Sequence, residues 1–203
     1  MLIKASRITN LTDARYFAAK EVDFLGFNLE EGTGGYLDPV YMKAIREWVE
    51  GPKIAGEFSR SSVAYIREAA AFFGLDAVQV TADYVEQLAD LEGLTVILET
   101  RLDAETTAES VQHFFRRAAP YVSYFLVAVD AAPEDTMPAQ LHLLQAICVE
   151  YPVLLQTDAT GQRLSALLET LQPAGLSFTG SEEEQVGVKS FDEIEAIFEA
   201  LGR

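Results

Sequence analysis

The stretch FLGFNLEEGTGGYLDPVYMKAIREWVEGPKIAGEFSRSSVAYIREAAAFFG, residues 24–74, decides the fold. It holds two copies of one unit, a short apolar run followed by a longer stretch whose apolar residues recur at helical spacing. Residues 24–28 read as a strand and 39–50 as its helix, with Asp38 at the cap and Pro39 in the first turn. Residues 53–58 read as the next strand and 61–73 as the next helix, closed by Gly74.

The same unit recurs on both sides of this stretch. Before it, 2–6 is a strand and 11–20 a helix opened by Thr9 and Asn10. After it come 77–80 with 84–91, 95–99 with 104–118 (capped by Asp103), 124–129 with 137–150, 153–155 with 162–171, and 175–178 with 191–201. Eight strand–helix units in 203 residues are the minimum complement of a parallel (β/α)8 barrel. An open doubly wound sheet is the structural alternative. It rarely uses eight strands in so short a chain, and no G-x-G-x-x-G follows the first strand. No Pro/Gly/Ser-rich linker interrupts the series, so residues 1–203 read as one domain.

Composition narrows the partners. A formal charge of −17 repels nucleic acid and anionic membrane surfaces. No apolar run approaches the roughly 20 residues needed to span a bilayer, and no signal segment is recognisable at Met1–Ser6. With one cysteine, Cys148, no internal disulfide can form, and a reducing cytoplasm is the expected location. His113 and His142 fall on predicted helices outside the barrel, and no His/Cys/carboxylate spacing suggests zinc. A divalent cation held by Glu57, Glu99, Asp130 and Asp158 lacks a supporting motif, so no metal is expected. Trp48 and the pairs Phe72–Phe73 and Phe114–Phe115 read as helix faces covering the barrel.

Such barrels carry their active sites at the C-terminal ends of the strands. Those ends supply Lys4, Ser6, Arg7, Asn28, Glu57, Ser59, Gln79, Thr81, Glu99, Arg101, Asp130, Gln156, Thr157, Asp158, Ser177, Thr179 and Gly180. Alternation along a strand makes Lys4 and Ser6, Gln79 and Thr81, and Glu99 and Arg101 point the same way in pairs. If that way is inward, they converge on one polar cavity. Lys4, Gln79 and Glu99 stand in or beside apolar runs, where an unpaired charge is costly to bury.

The order of motifs resembles phosphoribosylanthranilate isomerase. Lys4, Ala5, Ser6, Arg7, Ile8 and Thr9 follow that family's K-I-C-G-I-T start, and Asp23, Phe24, Leu25, Gly26 and Phe27 its second strand. Tyr36, Leu37, Asp38 and Pro39 resemble R-Y-V-S-P, and residues 75–80 closely match L-D-A-V-Q-L. Gly187, Val188, Lys189 and Ser190 resemble P-G-V-K-D. The resemblance spans the chain and is clearest in residues 1–85 and from 183 onward.

It implies a cofactor-free Amadori rearrangement of N-(5-phosphoribosyl)anthranilate in tryptophan biosynthesis, on a small phosphorylated ligand, by a monomer or homodimer. In the family a cysteine after the first strand is the base and an aspartate after the sixth is the acid. Here these positions are Ser6 and Asp130. Lys4, Arg7, Gln79, Arg101, Asp158, Thr179, Gly180 and Ser181 are the expected substrate-binding residues, the last three from the eighth-strand loop.

Several positions depart from the pattern. Serine is a poor base unless activated, which leaves Glu57 or Glu99 as substitutes. Arg7 replaces a glycine, Gly35 an arginine, and Thr81-Ala82 the pair H-G. Thr157-Asp158 replaces a glycine pair beside the phosphate position, where a carboxylate repels an anion and side chains block close backbone approach. Two functions stay open on the sequence: an isomerase of this kind, or an inactive or repurposed barrel that binds a different small molecule.

Overall fold

The computed structural model describes residues 1–102, 106–129, 137–179 and 192–201. Eight strands, β1 (Leu2–Ser6), β2 (Phe24–Asn28), β3 (Lys53–Phe58), β4 (Ala77–Thr81), β5 (Val96–Arg101), β6 (Tyr124–Ala128), β7 (Val153–Gln156) and β8 (Gly175–Thr179), pair in parallel in chain order. β8 pairs back onto β1, from Leu2 with Gly175 to Ser6 with Thr179, so the sheet is a closed (β/α)8 barrel. Around it lie α1 (Leu11–Ala19), α2 (Pro39–Arg46), α3 (Val63–Phe73), α4 (Ala108–Ala118), α5 (Met137–Glu150), α6 (Gly161–Leu171) and α7 (Asp192–Ala200). A 3₁₀ helix, Ala82–Leu91, follows β4 where an α-helix was expected.

Local chemistry sets the helix ends. The Asn10 side chain accepts from the Asp13 N–H at 2.9 Å, and Asp38 accepts from the Val40 N–H at 2.8 Å with Pro39 behind it. α3 is capped by Ser62 and ends on Gly74 at φ 61°. Two expected helices are shorter than their apolar spacing suggested. α2 stops at Arg46, where Trp48 N–H turns back to the Ile45 carbonyl at 2.9 Å. α4 starts at 108 because the Thr107 hydroxyl accepts from the Ser110 N–H at 3.2 Å, and Asp103 lies outside the described residues.

Outward-facing strand residues such as Ile3, Phe27, Val80, Leu98, Phe125, Leu155 and Phe178 bury themselves under the helices. Phe115 of α4 stacks on Phe125 with ring centroids 4.3 Å apart. Each such side chain contributes roughly 1.5–3 kcal/mol by burial. The first and last units are stitched together across Phe178, whose ring meets Phe17 of α1 and Phe198 of α7. Outside that seam, Glu195 accepts from the Tyr16 hydroxyl at 2.7 Å and the Lys20 ammonium at 2.6 Å. Trp48 and Phe72 do not cover the barrel; they are 70% and 78% exposed. Trp48 lies past the end of α2, and Phe73 takes the packing position on α3. His113 and His142 are exposed on α4 and α5, as expected.

The inward faces form two tiers. Phe24, Ala55, Ala77, Ile97, Leu126 and Leu154 pack into a separate apolar cluster that plugs the N-terminal half of the barrel. One inward step along the strands, the side chains turn small or polar: Lys4, Gly26, Glu57, Gln79, Glu99, Ala128, Gln156 and Ser177. The apolar floor fixes the depth at which charge begins.

Candidate functional site

At the centre of the polar tier, Lys4 is fully buried. Its ammonium donates to Glu57 Oε1 at 2.5 Å and to Ser6 Oγ at 2.6 Å. Ser6 Oγ lies 3.0 Å from Ser177 Oγ, and the Arg7 N–H donates to Glu57 Oε2 at 3.2 Å. A buried ion pair holds only when additional hydrogen bonds satisfy both partners, and these supply them.

Two backbone features make the network fit. A methyl group on Gly26, on the intervening β2, would overlap both the Glu57 carboxylate and the Lys4 ammonium, so glycine is required for close approach. Arg7 adopts φ 54°, a left-handed conformation that suits the glycine found there in the resembled family. In this conformation its N–H is turned onto Glu57, while its side chain is exposed.

A second network occupies the β4–β5 wall. Gln79 Nε2 donates to Glu99 Oε2 at 2.8 Å, which also sets the amide orientation, since the reverse would face oxygen toward carboxylate. Gln79 Oε1 and Thr81 Oγ1 are buried without a hydrogen-bond partner. Thr81 is paired in register with Glu99.

Around the rim, side chains stabilise the loops. Asn28 donates to Thr33 Oγ1 and to the Gly34 carbonyl, both at 2.8 Å, and accepts from the Glu30 N–H. Gly35, where the resembled family has an arginine, sits at φ 73°, which a side chain adopts only with strain. Glu30, 6% exposed, receives the N–H groups of Ser59, Arg60 and Ser61 and the hydroxyls of Ser59 and Ser61. Burial pushes its pKa up, but these hydrogen bonds outweigh burial and hold it below the ordinary carboxylate value. The backbone donors ahead of α3 are therefore filled by the protein's own carboxylate.

The structure gathers Lys4, Ser6 and the Arg7 backbone around Glu57, and joins Gln79 to Glu99. Arg101, Asp158 and Thr179 are exposed at the rim. After β7, the Thr157 hydroxyl accepts from the Ala159 N–H at 3.2 Å, so that loop folds on itself. Asp130, Gly180 and Ser181 lie outside the described residues. Glu30 was not expected from the sequence. Gly26 had one signal, a glycine inside a strand. Among the described residues no three His, Cys, Asp or Glu side chains gather as a metal site, and no helix is long and apolar enough to cross a membrane. The Cys148 thiol on α5 is pushed up to about 11 by burial.

No family model matches the chain. It is similar to the N-(5'-phosphoribosyl)anthranilate isomerase of Maridesulfovibrio salexigens, with 23% identity over all of this chain and 99% of the relative. Among solved structures, the isomerase of Pyrococcus furiosus superposes over all of this chain and 98% of its own, with a TM-score of 0.76 at 14% identity. That of Thermus thermophilus covers the same shares at 0.72 and 22% identity. An isomerase solved with reduced 1-(o-carboxyphenylamino)-1-deoxyribulose 5-phosphate covers both chains fully at 0.74 and 18% identity. In sequence from end to end and in its closed eight-stranded fold, the chain is a divergent, phosphoribosylanthranilate isomerase-like barrel.

Proposed function

We propose that this isomerase-like barrel is a one-domain cytoplasmic protein, monomeric or homodimeric. Its strand-end cavity binds a small molecule less anionic than the phosphorylated substrate of its relatives. One observation carries the reading: the buried Lys4 ammonium is neutralised by the protein's own Glu57 and hydrogen-bonded to Ser6. Ser6, as the residue in the base position, accepts a hydrogen bond from a cation. A hydroxyl so placed is a weaker proton acceptor than a free one, and among the described residues its hydrogen-bond partners are the Lys4 ammonium and the Ser177 hydroxyl, neither of which is a general base. Asp158, exposed after β7, adds negative charge beside the phosphate position implied by resemblance.

The test is calorimetric titration with reduced 1-(o-carboxyphenylamino)-1-deoxyribulose 5-phosphate. The reading predicts no saturable binding below millimolar concentration, and micromolar binding overturns it.

A second reading retains the isomerisation of N-(5-phosphoribosyl)anthranilate in tryptophan biosynthesis. Asp130 is then the acid, Lys4, Arg7, Gln79, Arg101, Asp158, Thr179, Gly180 and Ser181 contact substrate, and Glu99 replaces Ser6 as base. Its support is the full-length likeness to the isomerases and the inward-facing Glu99 carboxylate, hydrogen-bonded to Gln79. In this reading Glu99→Gln abolishes turnover and Ser6→Ala does not.

A further inference from the structure

We infer that the β4–β5 wall of the cavity is a binding site for an amine, so that the ligand carries a protonated or otherwise donor-rich nitrogen. The inference rests on the proposed less anionic ligand and names its chemical class.

Buried polar atoms almost always have a hydrogen-bond partner. Among the described residues, Gln79 Oε1 and Thr81 Oγ1 are two that do not. They stand at successive inward positions of β4, and Gln79 is 6% exposed. The carboxylate of Glu99, half-buried and in register with Thr81, completes the wall. Its hydrogen bond to Gln79 Nε2 turns the amide so that Oε1 is the atom left over.

Same-face neighbours along a strand are about 7 Å apart, and partners across strands about 5 Å. A single ammonium placed among three such groups has three donors to offer, and the wall presents an amide oxygen, a hydroxyl and a carboxylate. The charge balance agrees. Lys4 is already matched by Glu57, the in-register neighbour of Gln79 on β3, so among the described residues the carboxylate of Glu99 is the polar-tier charge not taken up by a cation. A phosphate or carboxylate ligand meets acceptors on this wall and is repelled. An amine meets an acceptor at each of these three groups.

The experiment is a calorimetric comparison of glucosamine, glucose and glucose 6-phosphate on the full chain, repeated with Glu99→Gln and Thr81→Val. Glu99→Gln keeps the hydrogen bond to Gln79 and removes only the charge. Thr81→Val keeps the shape and removes only the hydroxyl, so neither is expected to disturb folding. The expected result is glucosamine binding at least tenfold tighter than glucose, the advantage lost in Glu99→Gln and reduced severalfold in Thr81→Val. Equal binding of glucosamine and glucose overturns the amine site while leaving the less anionic reading standing. Tightest binding of glucose 6-phosphate overturns both. No binding of any probe at tens of millimolar overturns the amine site, as does a glucosamine preference that survives Glu99→Gln.

Discussion

Lys4 of β1 and Glu57 of β3 meet at 2.5 Å across the inward face of β2, with the lysine fully buried and the Glu57 side chain 9% exposed. Removing one partner of such a pair leaves an uncompensated charge, at a typical cost of about 3–5 kcal/mol, whereas replacing both with apolar groups is often neutral. Denaturant unfolding of Lys4→Met and of Glu57→Leu is therefore expected to show losses of that order. The double variant should recover most of the loss. Additive losses in the double variant would show that the two groups do not act as a pair.

Gly26 supplies the room for that pair. Gly26→Ala is expected to displace Glu57 and cost about 1–3 kcal/mol from overpacking alone. In the Lys4→Met/Glu57→Leu background the same change should cost a different amount, because the groups it strikes are gone. An identical cost in both backgrounds would mean that Gly26 serves something other than the ion pair.

Ser6→Cys places a thiol against the Lys4 ammonium, a setting that favours the thiolate. It should react with iodoacetamide well below the pH at which Cys148, pushed up to about 11, becomes reactive. No isomerase turnover is expected to return, because Glu57 and Asp158 remain. Recovered turnover would show that only the base is missing.

Glu30 gives the fold a defined acid limb. Its pKa is lower in the folded protein than its ordinary value near 4.5, so its stabilising contribution is complete above that pH. The contribution is lost as pH falls through the lower folded value. Glu30→Gln should therefore destabilise at neutral pH by about 1–3 kcal/mol, and the gap to the unsubstituted protein should narrow as pH falls below the ordinary carboxylate value. A gap that stays constant from neutral pH through the whole acid limb would show that Glu30 does not stabilise the fold as a carboxylate.

The barrel was legible because each strand is a short apolar run and some helices announce their ends, as at Asp38-Pro39 and Gly74. Alternation made Lys4 and Ser6 share one face, as it did Gln79 with Thr81 and Glu99 with Arg101, and the structure turns Lys4, Ser6, Gln79 and Glu99 inward. Pairing was not legible. Glu57 read as a substitute base, yet it is the counter-ion of a lysine 53 residues away, and period-2 spacing carries no information about which strand end meets which. Glu30 was invisible for a similar reason: its five donors come from a loop 29 to 31 residues further on. Helix ends at Arg46 and Thr107 escaped because apolar spacing continues past them, while turn and capping hydrogen bonds decide where they fall.

The central claim is that the first-strand network has replaced the chemistry of the isomerases. The direct measurement is the fluorescence decay of freshly generated N-(5-phosphoribosyl)anthranilate with the protein at high concentration. The account predicts the decay rate of substrate alone, unchanged by added protein. A saturable decay that scales with protein concentration and yields 1-(o-carboxyphenylamino)-1-deoxyribulose 5-phosphate would contradict it.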